Sequence, residues 1–231
     1  MNIKNLTLIV LVVLLTTSCS GTYHTYYESL KLAFTESADA QMSLAQVQQS
    51  PVDVISVKRG ERPVAIMALA YLENAQHKWI SNDKAMLIME KGRIVRTLGF
   101  KKNLLYLSDT GSDPLKSFPS TIPNMQWRSL ADYTGDQYGY PLESTFTTGK
   151  RDVIQALSLN IDTLLFVENV SYLAPANFIR FNTLWHNYYW YDKQSGELIK
   201  SIQVVSPLAE PLEITYLSRI ARLKHELPDK Q

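Results

Sequence analysis

The order of apolar and polar residues divides the chain into a short helical region and a long β-rich region. From about residue 52 onward, β-branched and aromatic residues dominate, and Gly or Pro recurs at many breaks between apolar runs. This pattern is typical of antiparallel strands. Residues 64–72 are almost continuously apolar, which predicts a strand buried on both faces. Residues 179–185 alternate apolar and polar side chains, as a strand with one buried face does.

Two β-hairpins are predicted within the β-rich region. In the first, strands at residues 85–89 and 94–98 flank Gly92, which can adopt the positive φ that a tight turn needs. In the second, residues 188–191 lead into a polar turn and residues 198–205 return. Consecutive hairpins of this kind indicate an antiparallel, mainly β fold.

Helices are predicted before the β-rich region. Apolar residues three or four apart across residues 23–34 predict one amphipathic helix. Ser43 can cap a second, short helix that runs through Gln49, and Pro51 stops it. Residues 108–141, with four of the ten prolines, are predicted to form a long irregular excursion rather than a domain boundary.

Residues 1–18 have the layout of a secretory signal peptide. Lys4 precedes the apolar run 8–15, which is too short to cross a bilayer core that needs roughly 20 apolar residues. The stretch before Cys19 resembles a bacterial lipobox, although Thr16 stands where leucine is usual. The resemblance implies cleavage before Cys19 and acyl chains on its thiol. Because Ser20 is not an inner-membrane retention aspartate, delivery to the periplasmic face of the outer membrane is expected.

Composition narrows the function classes. Cys19 is the only cysteine, so a disulfide within the chain is impossible. Loss of Lys4 with the signal peptide leaves 22 basic and 22 acidic residues, and a neutral chain lacks the basic footprint that nucleic-acid partners require. With 45% apolar residues, residues 19–231 can bury one substantial core. We predict one periplasmic β domain without a nucleic-acid partner.

Catalytic and metal-binding signatures are incomplete. Residues 109–112 read Asp-Thr-Gly-Ser as in aspartic proteases, but that chemistry needs two aspartates and one copy is present, so a turn is favoured at Asp109. Residues 148–150 lack the earlier glycine of a phosphate-binding loop, because Ser144 stands there. The histidines lack metal-ligand spacing: His24, His77, His186 and His225. We predict no enzyme activity, no catalytic residue, no cofactor and no metal.

Aromatic residues are concentrated in residues 185–191, where five of seven positions are Trp or Tyr. Exposed rings stack well on sugars, so Tyr188 and Trp190 are candidate glycan contacts. Packing within the hairpin is the alternative, because strand alternation sends only some of these rings outward.

Two segments of the chain also resemble each other in their order of residue types. Trp79 is followed by residues 92–97, and Trp185 is followed by residues 196–201. In both segments the aromatic residue precedes a turn glycine, two aliphatic residues, a basic residue and a hydroxyl-bearing residue. One interpretation is a diverged duplication with an offset of about 105 residues. Arg96 and Lys200 would then occupy equivalent strand positions and flank a groove that contacts acidic groups on a polymer or partner. Chance repetition of strand and turn patterns is the alternative.

Taken with the lipobox, a set of helix, strand and turn patterns resembles the YjbF/GfcB family of capsule-associated lipoproteins: residues 44–51, Trp79, residues 91–99, Asn103-Leu104, Tyr191-Asp192 and residues 195–201. The resemblance spans nearly the whole chain. It implies a β-barrel-like domain without catalytic residues.

The function that the resemblance implies is that of an outer-membrane accessory in assembly and export of a group 4 type capsule or a related exopolysaccharide. Its expected partners are the membrane, through the lipid anchor, and polysaccharide-export proteins or the polysaccharide itself. Two alternatives stay open. One is a periplasmic enzyme that modifies glycan, which would bring catalytic groups together in a cleft. The other is a lipid or glycan carrier, which would hold its ligand in a cavity.

Overall fold

The computed structural model describes residues 39–117, 125–135, 137–147, 149–173, 184–206 and 209–226, all within the unit Asp39–Gln231. Two α-helices lie in these ranges, α1 (Leu44–Gln49) and α2 (Leu217–Glu226), with two short 3-10 helices at Thr110–Ser112 and Pro114–Ser117. The strands in the same ranges are β1 Val54–Arg59, β2 Ala65–Glu73, β3 Gln76–Ser81, β4 Met86–Glu90, β5 Arg93–Leu98, β6 Leu104–Leu107, β7 Gln126–Tyr133, β8 Gln137–Phe146, β9 Lys150–Ala156, β10 Leu159–Tyr172, β11 Leu184–Asp192, β12 Leu198–Gln203 and β13 Leu212–Thr215.

The strands form one antiparallel sheet that curls into a nearly closed barrel. Its order is β5-β4-β3-β2-β1-β13-β12-β11-β10-β8-β7-β6, and β9 pairs with the free part of β10. The end strands β5 and β6 meet through side-chain contacts. The Thr97 hydroxyl accepts a hydrogen bond from the Leu104 N–H at 2.9 Å and lies 3.3 Å from Asn103 Oδ1. This seam completes the barrel wall.

Large side chains fill the barrel interior. Alternation along β7 places Trp127, Ser129, Ala131 and Tyr133 inward and the intervening residues outward or partly so. The largest side chains that are fully buried include Phe166, Tyr133, Tyr189 and Tyr216. Burial of each large apolar side chain contributes about 1.5–3 kcal/mol to folding.

Two smaller apolar clusters cover part of the outer wall. Helix α1 packs near α2 through Val47, Leu217 and Ala221, and α2 also contributes Ile220 to a cluster with Trp190 and the β9–β10 hairpin. Among the described residues, no helix has the length and apolar character needed to cross a bilayer.

Several predicted elements are confirmed. The fold is mainly β, antiparallel and barrel-like. Both hairpins form, and Gly92 has a φ of 95° in the turn between β4 and β5. Helix α1 begins after Ser43, whose hydroxyl accepts from the Gln46 N–H while the Gln46 side chain accepts from the Ser43 N–H. Reciprocal bonds of this kind form a capping box.

Two predictions about strands are wrong. Residues 64–72 contain strand β2, but Met67 is the only fully buried side chain in that strand. Its far end extends past β1, which pairs only with Ala65–Ala68, so Tyr71 and Leu72 are exposed. Residues 108–141 are not one irregular excursion, because they contain β7 and the start of β8. The small inward residues of β7 weaken its apolar alternation.

The predicted duplication is also wrong. Trp79 lies on β3, so strand β4 separates it from the turn at Gly92, whereas Trp185 lies on β11, which leads directly into the turn at Gly196. The strands of residues 79–100 and 185–205 therefore differ in number and order. The similarity reflects recurrent strand and turn patterns. The predicted signal peptide, Cys19 and the helix at residues 23–34 lie outside the described residues, as do residues 179–183.

Candidate binding sites at the two mouths of the barrel

The barrel has a cavity at each end, and strand β1 runs from one to the other. Ile55 lines one cavity, and Arg59 lines the opposite one. The cavity at the Arg59 end, the basic mouth, has a volume of about 720 Å³. Its charged and aromatic lining residues are Arg59, Arg62, Phe100, Lys101, Lys102 and Glu210. The other cavity, the aromatic mouth, has a volume of about 530 Å³.

Four cationic side chains and one carboxylate are the ionisable groups among the described residues that line the basic mouth. Glu210 Oε2 lies 3.2 Å from Arg59 Nε and 3.7 Å from Arg62 Nε. The Arg59 guanidinium also lies over the Phe100 ring, 5.4 Å from its centroid. Lys102 Nζ lies 5.5 Å from the centroid of Tyr133. The arrangement can bind an anion, because guanidinium groups pair readily with carboxylates.

Loop contacts hold the basic mouth in shape. The Asn103 side chain accepts from the Phe100 N–H at 3.1 Å and donates to the Phe100 carbonyl at 3.0 Å, which fixes the loop that carries the two lysines. Gly60 has a φ of 53° and donates its N–H to the Pro211 carbonyl at 3.0 Å. This bond places the loop of Arg59 beside that of Glu210. The mouth is therefore built by loops that are distant in sequence.

The aromatic mouth combines rings with a guanidinium. Trp79 contacts Tyr216 edge to face at 6.5 Å, and the Arg219 guanidinium lies 4.1 Å from the Tyr216 centroid. Arg219 Nη1 donates to the Leu198 carbonyl at 2.8 Å. Burial raises the pKa of Tyr216, while burial and the nearby Arg219 lower the pKa of His77. The described residues offer no hydrogen-bond acceptor to the buried Trp79 Nε1.

A buried ion cluster lies in the interior of the barrel. Arg93 donates to both Asp113 oxygens, at 2.5 and 3.0 Å, and to Glu168 Oε2 at 3.0 Å. Asn187 and Tyr189 donate to the same Glu168 oxygen at 2.9 and 3.1 Å. Burial alone would raise the pKa of Glu168, but the charge and hydrogen bonds of Arg93, with those from neutral donors, lower it. Arg93 thus pairs with both carboxylates, as buried charges require a partner. Glu168 Oε1 has no hydrogen-bond partner among the described residues.

The predicted contact residues do not form one site. Arg96 is exposed on β5, whereas Lys200 on β12 lies 2.5 Å from Glu213 and 5.5 Å from the Trp190 ring. Five strands separate β5 from β12 in either direction around the barrel. The two bases therefore lie on opposite sides of the barrel and share no groove. Each stays a candidate contact by itself.

The two predicted glycan contacts lie together on the outer wall. Tyr188 is half-buried and stacks on Trp190, with centroids 6.1 Å apart. Trp190 is 9% exposed, and its Nε1 donates to Asp152 Oδ2 at 2.7 Å. Lys200 and Tyr188 cover its ring, so a sugar would need to displace them. Both stay predictions, and Tyr188 is the more accessible.

The aspartate of the protease-like motif and the described histidines lie in separate parts of the fold and form no common site. Asp109 is exposed in a turn with a φ of 55°, as the turn interpretation predicts. His77 lines the aromatic mouth, and His186 Nδ1 lies 2.7 Å from Asn169 Oδ1. Within the described residues, no three His, Cys, Asp or Glu side chains are grouped to hold a metal ion.

Residues 27–217 match the model of the YjbF family, described as group 4 capsule polysaccharide lipoproteins. The chain belongs to this family. Two relatives from Escherichia coli strain K12 are the uncharacterized lipoproteins GfcB, 24% identical over 86% of this chain and 91% of its own length, and YjbF, 25% identical over 90% and 95%. The hypothetical lipoprotein YmcC from Escherichia coli K12 has a similar solved structure, with a TM-score of 0.68, 26% identity, and coverage of 84% of this chain and 93% of its own.

Membership confirms the resemblance drawn from the helix, strand and turn patterns. It makes this chain a member of a capsule-associated lipoprotein family. All the residues that line the basic mouth lie inside the matched range, whereas Ser218, Arg219 and Arg222 of the aromatic mouth lie beyond its end.

Proposed function

We propose that this lipoprotein is anchored by acyl chains on Cys19 to the periplasmic face of the outer membrane. There it acts as a non-catalytic accessory in assembly and export of a group 4 capsule or a related exopolysaccharide. The observation that carries the proposal is the family match over residues 27–217. The apolar run before Cys19 supplies the export signal, and Cys19 supplies the thiol for the anchor.

The described carboxylates favour a non-catalytic role. A glycan-cleaving enzyme needs a carboxylic acid whose pKa is raised, together with a second carboxylate. Where the pKa of a described carboxylate shifts, it shifts downward: Glu73, Asp83, Glu90, Asp152 and Glu168. In the aromatic mouth, Asp53 is held by both terminal nitrogens of Arg222, at 2.8 and 3.2 Å. The five carboxylates whose pKa is lowered are poor proton donors at neutral pH.

The interior also gives no support to a lipid carrier. Among the described residues, the space inside the barrel is filled by large side chains and by the Arg93 cluster. The two cavities at the mouths carry charged residues. An acyl chain needs a continuous apolar cavity. A polar ligand or a protein partner fits the mouths better.

Deletion and complementation in the native host test the proposal. We expect deletion to lower cell-surface polysaccharide and wild-type protein to restore it, and Asp109→Asn to restore it equally because Asp109 lies in an exposed turn. Surface polysaccharide that is unchanged by deletion contradicts the export role. A polymer of normal amount but altered chain length or substitution would favour the enzyme instead.

The anchor has its own test. A fatty-acid analogue should label the wild-type protein and not Cys19→Ser, because the thiol is the acylation site. Fractionation should place the wild type with membranes, since two or three acyl chains anchor stably where one binds marginally. The outer membrane is expected because Ser20 is not an inner-membrane retention aspartate. Label on the serine variant, or wild-type protein in the inner membrane, contradicts this part of the proposal.

A further inference from the structure

We propose that the basic mouth binds a segment of acidic polysaccharide, with Arg59, Arg62 and the two lysines of the β5–β6 loop contacting its carboxylates. The choice of a polysaccharide rests on the proposed function, whereas the preference for an anion rests on the charges of the mouth. The cavity of about 720 Å³ is of the size that ligand sites have.

The basic mouth carries an excess of positive charge. The mature chain has equal numbers of basic and acidic residues, yet the described lining of this mouth has four cations and one carboxylate. The hydrogen bond from the Ser81 hydroxyl lowers the pKa of Asp83, and the nearby Arg59 lowers it to a smaller extent, so this carboxylate already has a partner. A concave surface of one charge sign concentrates ligands of the opposite sign. The mouth therefore selects an anion.

Glu210 shows how a ligand carboxylate would bind. Its Oε2 lies within 3.7 Å of the Nε atoms of both arginines, so one carboxylate oxygen bridges the two guanidinium groups. The Glu210 side chain is 51% exposed and that of Arg62 is 63% exposed, so the pair is in contact with water. A uronate carboxylate can replace or join Glu210 at small cost, because exposed ion pairs are weak.

The shape of the mouth favours a polymer over a membrane surface. The Arg59 side chain is 22% exposed, and its guanidinium packs over Phe100 within the cavity. A flat layer of anionic headgroups cannot reach a group recessed in this way. A single polysaccharide strand can enter, and the Phe100 ring offers an apolar surface beside the cations.

Binding of tetragalacturonate to the full mature lipoprotein, in an uncharged polyoxyethylene detergent, tests this inference by titration calorimetry. We expect saturable binding of this uronate and none of the neutral maltotetraose. Raising ionic strength from about 0.01 M to about 0.15 M shortens the screening length from about 30 Å to about 8 Å, so affinity should fall. Equal binding of the two sugars overturns the proposal.

Variants that remove positive charge and a variant that removes negative charge should change uronate affinity in opposite directions. Arg62→Gln with Lys101→Gln should weaken uronate binding about tenfold or more, because charge-assisted bonds are lost. Glu210→Gln should tighten binding several-fold, because both arginines lose their internal carboxylate. The matched control, Arg151→Gln with Lys193→Gln, removes the same charges from exposed positions outside this mouth and should leave affinity unchanged. Circular dichroism confirms folding of each variant.

Binding to lipid vesicles distinguishes an acidic polysaccharide from anionic lipid headgroups as the ligand. Phosphatidylglycerol vesicles should bind the wild type and the Arg62→Gln, Lys101→Gln variant equally. Vesicle binding that depends on these two residues, without uronate binding, overturns the polysaccharide in favour of the membrane. The export role is measured separately, as surface polysaccharide in cells. If that role fails, the titration of the purified lipoprotein with uronate still tests whether the mouth binds an anion.

Discussion

Two arginine–carboxylate clusters among the described residues differ mainly in their access to water. In the interior, the side chains of Arg93, Asp113 and Glu168 are 6%, 1% and 0% exposed. At the basic mouth, those of Arg59 and Glu210 are 22% and 51% exposed. The same chemical groups therefore occupy two very different dielectric surroundings.

This difference decides what each cluster can do. Separation of a buried pair leaves an uncompensated charge, so the interior cluster cannot exchange partners without unfolding the barrel. Separation of an exposed pair costs little, because water solvates both groups. The interior cluster is suited to hold one structure, and the mouth is suited to exchange its own carboxylate for that of a ligand.

The largest expected effect follows from breaking the interior cluster. Arg93→Met should lower the free energy of unfolding by about 3–5 kcal/mol, because two carboxylates lose their buried cation. Urea denaturation measures the change. The control is Arg128→Met, which breaks the exposed pair of Arg128 with Glu143 and should cost about 1 kcal/mol or less. Similar losses in the two variants would remove the distinction between the clusters.

A pH series should separate the charge of Glu168 from its packing. At neutral pH, Glu168→Gln should cost about 1.5–3 kcal/mol, since charge-assisted hydrogen bonds are lost. The folded-state pKa of Glu168 is lowered from 4.5, so its stabilising contribution is complete above that value and is lost as pH falls through the folded pKa. The stability gap between wild type and variant should therefore shrink below pH 4.5. A gap that widens in acid contradicts the assignment.

The barrel seam should show a smaller effect. Thr97→Val removes the acceptor for the buried Leu104 N–H and should cost about 1–3 kcal/mol. Thr97→Ser keeps the hydroxyl and should recover most of that loss. Thermal denaturation of the pair tests whether the seam depends on the hydroxyl. Equal stability of Thr97→Val and wild type would show that the side-chain contact does not stabilise the closure.

The smallest effect is expected at the mouth. Glu210→Gln should change the free energy of unfolding by no more than about 0.5 kcal/mol, because its ion pairs are exposed. The same variant should strengthen anion binding, which makes stability and binding independent readouts. A stability loss close to that of Arg93→Met would mean that Glu210 is a structural residue.

Local signals in the sequence predict much of the fold. Ser43 before an apolar segment predicts the start of α1, and Gly92 between two β-rich segments predicts the first hairpin; both are confirmed. These features depend on a few neighbouring residues. The extent of burial in β2 depends on how far β1 extends beside it, which no local pattern specifies.

The candidate site depends on distant contacts, and the sequence does not reveal it. Arg59 and Glu210 come together because β1 pairs with β13. The interior cluster did leave a signal, since Glu168 lies two residues from both Phe166 and Val170 on an otherwise apolar strand face. An acidic residue at such an inward position indicates a buried cation. Its partner Arg93 has no comparable signal, because basic residues surround it at Lys91 and Arg96.

Surface polysaccharide in cells that carry Arg62→Gln with Lys101→Gln tests the central claim most directly. We expect less surface polymer than in wild-type cells, with unchanged lipoprotein abundance, outer-membrane location and thermal stability. The Arg151→Gln, Lys193→Gln control should export normally. Normal export by the mouth variant, at normal abundance, would contradict the claim that the basic mouth contributes to polysaccharide export.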